Sequence, residues 1–358
     1  MFKNHNRVHW SLKISLTYVV INHVNGSISR GMEIQPLLQV ESSLTILIAP
    51  PAWGKTSILL GLQGPWIFVA PLRALAEEFA KRLSSEGTKV KLLKSRNQAQ
   101  WRDFVKNPSG VVVATPETLP SHLPANVIEK CIVVLDEFHL FQKWGADFRP
   151  LLREQLYAWS NLGARILGLS ATIEGEQLDE IKMWSKHAFE HISIIDLGNM
   201  RFKNPPYKIY RYGKDHMAMR RRIYWESRKP QNRGIIFCKT RNHVSRWLEW
   251  FAARRIACLG CVGGEVEQFR KSLLSSGDKT AWIVCTSVLS HGVNLPSFSH
   301  VFLDHKPESQ SMWIQMAARG GRSGEKFILH TMDSNKLSEK LSINTFDVLV
   351  RSHLYLSA

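Results

Sequence analysis

The chain lacks any apolar run near the ~20 residues that a membrane-spanning helix needs, which excludes a helical membrane anchor. Cysteine is scarce. Cys131, Cys238, Cys258, Cys261 and Cys285 are odd in number and lie inside apolar runs. That placement excludes a disulfide framework and fits a reducing, cytoplasmic setting with no membrane partner. Short-period repeats and low-complexity tracts are also missing, and a hydrophobic content of 44% excludes a mostly disordered chain. Acidic residues are missing where they would matter most. Residues 1–31 hold four cations and no acid, and residues 201–255 hold sixteen cations against Asp215, Glu226 and Glu249. Those two stretches carry the whole formal excess of +17. So local an excess predicts a polyanion as partner.

What is present suits two domains. A length of 358 residues with 12 Trp and 16 Phe can fill two cores. From residue 40 onward, β-branched runs alternate with helix-length amphipathic segments. Strands are expected over 44–49, 66–70, 89–93, 111–114, 131–135, 165–169 and 192–196, and helices over 55–63, 72–84, 148–161 and 175–187. Near-continuous apolar strands separated by helices predict an α/β class, a mainly parallel sheet covered on both faces. A basic, Pro-containing stretch at 201–215 reads as a linker. The pattern then restarts, with helices over 216–228, 241–254, 265–275 and 309–318 and strands over 234–238, 256–260, 281–285, 299–303 and 327–331. The expected domains are 32–200 and 216–333, with 334–358 a terminal helix and tail. Residues 1–31 have two readings. They form an extension ahead of a start at Met32, or a secretory leader whose apolar run from Ile14 to Ile21 is broken by Ser15 and Thr17.

Ala49-Pro-Pro-Ala-Trp-Gly-Lys-Thr-Ser57 follows a strand and opens a helix, the setting of a Walker A phosphate loop. Main-chain N–H groups there cradle phosphates, so Ala52, Gly54, Lys55, Thr56 and Ser57 are candidate ATP-binding residues. Lys55 reaches the β- and γ-phosphates, and the Thr56 hydroxyl holds Mg²⁺. Trp53 stands where a small residue is usual; it either leans away or stacks on a base. Strand 131–135 runs into Asp136 and Glu137 at the sheet's carboxyl edge, where α/β folds bind ligands. Asp136 is the second Mg²⁺ candidate and Glu137 the residue that activates water.

An ordered series of motifs then resembles the superfamily 2 helicases, in the DExH-box branch of archaeal DNA-repair and exosome-associated enzymes. After the loop come Val69-Ala-Pro-Leu-Arg73, Ala114-Thr-Pro-Glu117, the box Asp136-Glu-Phe-His139 and Ser170-Ala-Thr172. The second half holds Ile235-Ile-Phe-Cys-Lys-Thr-Arg241, Thr286 to Pro296 and Gln315-Met-Ala-Ala-Arg-Gly-Gly-Arg322. The resemblance implies two RecA-like domains with ATP in the cleft between them. It implies that Arg319 and Arg322 are arginine fingers, that Gln315 and His139 bridge the domains and tie ATP state to nucleic-acid grip, and that Gly292 and Asn294 border the nucleotide. His139, Ser170 and Thr172 are implied to couple ATP state to grip. Arg73, Thr115, Thr240, Arg241 and Thr286 are implied to face the phosphates of one strand, contacts that position without reading sequence. The chain departs from the family at Ala52 and Ala318, which replace glycines. It departs again in the 18 residues from 297 to 314, too few for a strand-separating hairpin. The resemblance therefore supports an ATP-dependent helicase or translocase, with DNA weakly favoured over RNA. An ATP-gated clamp that needs a protein partner for strand separation or targeting is the alternative.

Cations interleave with rings in 201–255. Arg220, Arg221 and Arg222, followed by Tyr224 and Trp225, can follow a phosphate backbone and stack bases. Trp247, Trp250 and Phe251 at helical spacing read first as a core stripe. Cys258 and Cys261 form a lone CxxC without the second ligand pair that zinc needs.

Overall fold

Uninterrupted β-branched strands, each followed by a crossover, leave parallel pairing as the way to bury both faces. The computed structural model describes residues 34–95, 99–120, 122–141, 149–276, 281–290 and 295–332, together with the backbone of 17–22. It divides into two units between Arg201 and Phe202. Gly292, Asn294 and the expected tail at 334–358 lie outside the described residues.

The first unit holds strands β1 (Thr17–Asn22), β2 (Ser43–Ile48), β3 (Trp66–Val69), β4 (Val90–Leu92), β5 (Val111–Ala114), β6 (Ile132–Leu135), β7 (Arg165–Ser170) and β8 (His191–Asp196). Their order is β1-β8-β2-β7-β6-β3-β5-β4, and every pairing is parallel. The helices are α1 (Gln35–Leu38), α2 (Lys55–Ile58), α3 (Arg73–Ser85), α4 (Ala99–Lys106), α5 (Ala125–Lys130), α6 (Pro150–Asn161) and α7 (Gly175–Ala188). Alternate strand residues feed two cores. Leu44, Ile46, Ile67, Val112 and Val133 meet Trp101 of α4, Leu156 and Trp159 of α6 and Ile181 of α7. Leu47, Phe68, Val113 and Val134 face the other way, toward Leu75, Phe79 and Leu83 of α3.

Three expectations need correction here. The helix expected over 55–63 stops after four residues and passes into a 3₁₀ turn, Leu59–Gly61. Gly61, Gly64 and Pro65 follow, and they oppose further helix. Thr17–Asn22, placed in an extension, forms β1 and pairs in register with β8. Helices α4 and α5 were not anticipated; they are short, and each buries only two side chains.

The second unit holds β9 (Lys208–Arg211), α8 (His216–Ser227), β10 (Gly234–Phe237), α9 (Arg241–Ala252), β11 (Cys258–Cys261), α10 (Val266–Ser276), β12 (Trp282–Cys285), β13 (His300–Leu303), α11 (Gln310–Ala317) and β14 (Ile328–Thr331). Its sheet runs β11-β12-β10-β13-β14-β9, again all parallel. The expected linker thus contains an edge strand: β9 pairs with β14, and its Tyr210 ring stacks on His330 at 5.3 Å. The Trp247 and Phe251 stripe is core, packed with Trp282 and Phe302. Burial pushes all five thiols up, Cys131 and Cys261 to about 12, so they sit as neutral apolar groups. Among the described residues no cluster of His, Cys, Asp or Glu is arranged to hold a metal, and no helix is long and apolar enough to cross a membrane.

A buried polar chain crosses this unit. The Tyr212 hydroxyl lies 2.8 Å from His330 Nδ1, and His330 Nε2 lies 3.0 Å from His300 Nδ1. His300 Nε2 faces Glu226 Oε2 of α8 at 3.6 Å. With one proton on each ring, both hydrogen bonds are satisfied when Tyr212 donates to His330 and His330 to His300, which leaves the His300 Nε2 proton facing Glu226. Burial, with Arg222 and Lys229 nearby and opposed by Glu226, holds His300 at about 4, and burial beside His300 holds His330 at about 2. Unfolded histidine titrates near ~6.5. Between about pH 6.5 and 4 the unfolded chain therefore binds protons that the folded one refuses. Stability is complete above that window and falls as pH drops through it. Thermal melts at pH 7.5 and 4.5 should differ by on the order of 5 °C more in the parent chain than in His300→Gln. Equal acid sensitivity in the two would contradict the assignment.

Candidate nucleotide and nucleic-acid site

At the carboxyl edge of the first sheet the strand order groups the candidate residues. β2, β7 and β6 are neighbours, so the phosphate loop, Ser170–Thr172 and Asp136–Glu137 emerge side by side within about 10 Å. β3 and β5 come next, delivering Arg73 and Thr115 to the adjacent stretch of the same edge.

Gly54 caps α2 with φ of 106°, a conformation that favours glycine. Ala52 takes φ of 62°, so the residue that departs from the family's glycine sits in the left-handed region. Such a residue stores on the order of 1–3 kcal/mol. Trp53, half-buried, packs against the core face that includes Leu47 and Phe68, the placement of the leaning-away reading. Lys55 Nζ folds back to donate to Ala49 O at 2.8 Å and Pro50 O at 3.3 Å. Thr56 is half-buried, and Ser57 Oγ accepts from Arg82 of α3 at 2.8 Å.

Glu137 is a second non-glycine residue with positive φ, 50°, immediately after β6. Burial first, then the neighbouring Glu137 charge, raises the Asp136 carboxyl to about 7 against a partial opposing pull from Lys55. A carboxylate held this high is stabilised by an arriving cation, which is the property a Mg²⁺ ligand needs. Phe138 is buried against Gly168, where a methyl would fall 2.7 Å from its ring. This packing fixes β6 and β7 at the spacing the box requires. His139, also buried, brings Nδ1 within 3.0 Å of Ser170 Oγ and 3.6 Å of Glu137 Oε2. Ser170 Oγ donates to Thr172 O at 2.8 Å, so His139 Nδ1 is the donor in the first contact. The three coupling candidates thus form one hydrogen-bonded unit, with the Glu137 carboxylate beside it at 3.6 Å.

Arg73 is exposed at the start of α3, with its Nε on Glu77 at 2.9 Å. Thr115 is buried in a turn whose N–H donates to Thr118 Oγ1 at 2.9 Å. Two residues that carry no motif signature hold this region. Arg149 pairs with Glu117 and donates to Pro71 O, joining the loops that carry Arg73 and Thr115. Burial favours the neutral Glu117 carboxyl, but the Arg149 hydrogen bond holds it below its usual range. Gln155 of α6 donates to Pro116 O at 2.8 Å and Leu119 O at 3.3 Å. No sequence signal marks either contact, because the partners are far apart along the chain.

In the second unit Thr240 and Thr286 leave the neighbouring strands β10 and β12. Thr240 caps α9 by accepting from His243 N at 3.2 Å, and Arg241 donates to Gly263 O at 2.8 Å. Gln315 and Arg319 are buried, Arg319 beside the Cys285 thiol, and Arg322 is half-buried. The arginine trio divides. Arg222 turns inward to Glu226 at 3.2 Å and lies over the Tyr210 ring at 4.6 Å; Arg220 lies over Trp247 at 5.4 Å; Arg221 is exposed.

The family model of the DEAD/DEAH box helicases matches residues 33–181, and that of the helicase conserved C-terminal domain matches residues 215–324. A probable ATP-dependent DNA helicase RecS of Bacillus subtilis is 26% identical, over 78% of this chain and 59% of its own length. An ATP-dependent DNA helicase RecQ of Haemophilus influenzae is 23% identical, over 74% and 43%. A DEAD-box ATP-dependent RNA helicase RhpA of Helicobacter pylori is 25% identical, over 74% and 55%. The chain thus spans about half the length of these curated relatives. Among solved structures, Dbp5 of S. cerevisiae bound to RNA and ADP BeF3 matches with a TM-score of 0.63 at 17% identity, covering 91% of this chain and 87% of its own. Helicase MrfA bound to DNA matches with 0.65 at 19%, covering 87% and 47%. These likenesses show the fold, two tandem RecA-like domains. With both family models falling in order on the two units, the chain belongs to the superfamily 2 helicases.

Proposed function

We propose that the chain hydrolyses ATP in a nucleic-acid-dependent reaction and uses the cycle to move along a single strand, with DNA preferred to RNA. One observation carries this reading: the phosphate loop, the acidic pair and the His139–Ser170–Thr172 unit emerge from three adjacent strands at one sheet edge. Lys55 would leave the Ala49 and Pro50 carbonyls for the phosphates, a rotation about its own side chain alone. Glu137 would orient and activate the attacking water, and its contact with His139 would pass the state of that water to Ser170. Asp136 and the Thr56 hydroxyl would hold a Mg²⁺ ion, which supplies charge neutralisation at the phosphates when bound. Arg319 and Arg322 are assigned to charge on the transferring phosphoryl group, and Gln315 to the same nucleotide. Arg73, Thr115, Thr240, Arg241 and Thr286 would take backbone phosphates. The preference for DNA is supported by relatives named as DNA helicases, RecS and RecQ.

The test is ATP turnover measured with no polynucleotide, with single-stranded DNA and with single-stranded RNA side by side. The strongest stimulation is expected with DNA. Stimulation by RNA alone would reassign the substrate, and absence of turnover under all three conditions would overturn the enzymatic reading.

A further inference from the structure

Helix α8 buries Met219, Ile223 and Glu226 and leaves the opposite stripe to solvent. On that stripe Met217 is 61% and Trp225 64% exposed, with Arg221 between them and Arg228 beyond. The spacings 217, 221, 225 and 228 keep all four on one helical face. An indole this exposed is unusual, because tryptophan is strongly buried on average. The rings around it form a graded surface. Tyr224 meets Trp225 edge-on at 5.7 Å and Trp250 of α9 at 6.4 Å. Arg228 lies over Tyr224 at 5.4 Å, and Arg254 lies over Trp250 at 4.2 Å.

Charge selects the occupant. Between 216 and 255 there are eleven cations and two carboxylates. One carboxylate, Glu226, is enclosed by Arg222, Lys229 and Asn232, which leaves Glu249 alone against the remainder. A protein hot spot also uses Trp and Arg, but it does not need so one-sided a field. Phosphates and stackable bases match both halves of the surface.

Position defines the role. His216 opens α8 with its Nδ1 3.5 Å from Asp304 Oδ1, at the carboxyl end of β13. The helix therefore starts at the sheet edge that carries Thr240 and Thr286, and it runs about 18 Å toward the opposite edge. A strand gripped at the motif loops can continue down this face, over Trp225 and past Arg228.

We propose that the outer stripe of α8, with the end of α9, is an accessory site for a further segment of the same single strand. The segment would lie beyond the part held at the motif loops, with Trp225 as the stacking platform and Arg221 and Arg228 as phosphate ligands. The proposal rests on nucleic acid being the ligand of the chain. It does not rest on hydrolysis, and its test needs no ATP.

The test is equilibrium binding of fluorescein-labelled oligo-dT of roughly 10 and roughly 40 nucleotides. The full chain is compared with Trp225→Ala/Arg228→Ala and with Trp225→Phe. The double variant should lose about tenfold affinity for the long probe and bind the short one as the parent does. Its salt dependence on the long probe should flatten by about one phosphate contact. Trp225→Phe, which keeps a ring, should stay near the parent. Equal binding of the long probe by parent and double variant would overturn the site, and so would an equal loss on both probes. Failure of the parent to bind either probe would overturn this proposal and the nucleic-acid reading together. Binding without ATP turnover would sink the enzymatic reading alone. Unchanged binding alongside loss of a protein contact would reassign the face to protein and overturn the proposal.

Discussion

Glu137→Gln is expected to lower ATP turnover by roughly 10²–10⁴, the range for a lost general base, while nucleotide affinity stays within a few-fold of the parent. The substitution keeps size and hydrogen bonding and removes the charge that would draw a proton from water. It also removes the carboxylate that helps raise Asp136, so that carboxyl should ionise more readily and metal binding should not suffer. Single-turnover hydrolysis beside binding of a fluorescent ATP analogue separates the two effects. Turnover near the parental rate would show that Glu137 is not the activating base. Loss of binding equal to the loss of turnover would make it a structural residue, held at its φ of 50° for shape alone. Lys55→Ala provides the contrast, because binding itself should weaken.

Gly320→Ala is expected to be the most damaging single methyl addition in the second unit. A Cβ there would fall 2.2 Å from the Phe327 ring, which is fully buried. Gly321 offers no slack, since it takes φ of 59° and its own Cβ would meet Glu325 O at 2.6 Å. Gly320 also bridges Phe298, so the turn between Arg319 and Arg322 is clamped from both sides. Overpacking of this kind costs on the order of 1–3 kcal/mol. The greater effect is on position: a shift near 1 Å in a group that acts on a phosphoryl transfer lowers rate by about 10². Hydrolysis assays with melting curves should show turnover falling far more than stability. Adding Phe327→Leu should recover part of both, because the smaller side chain vacates the space the methyl enters. A Gly320→Ala chain with full turnover and a parental Tm would remove the clamp from the argument.

Legibility followed from how local each cause is. Runs such as Val111–Ala114 and Ile132–Leu135 announce a sheet buried on both faces, and the residue after each run is at its carboxyl edge by construction. That is why Asp136 could be assigned to that edge, and Lys55 to a loop leaving a strand, from the sequence; Thr115 joins them in the strand order. β9 was hidden because its four residues are at most half-buried and its order comes from pairing and the stack of Tyr210 on His330. Arg149 and Gln155 were hidden because they act on backbone carbonyls, which carry no residue identity. The His330–His300–Glu226 chain joins three elements through contacts no spacing rule contains. In the arginine trio, charge density was legible but direction was not: a single residue step, about 100° around the helix, separates Arg222, tied to Glu226, from the exposed Arg221.

The strand order also carries a cost during synthesis. β2 has the apolar sequence Ser-Leu-Thr-Ile-Leu-Ile, and both its neighbours in the sheet, β7 and β8, are encoded far downstream. At roughly 5–20 residues per second the ribosome needs on the order of ten seconds to pass from Ile48 to Ser170. Throughout that interval one of the stickiest segments of the nascent chain has no sheet partner to pair with. Chaperone dependence and losses to aggregation should therefore concentrate in the interval before β7 emerges.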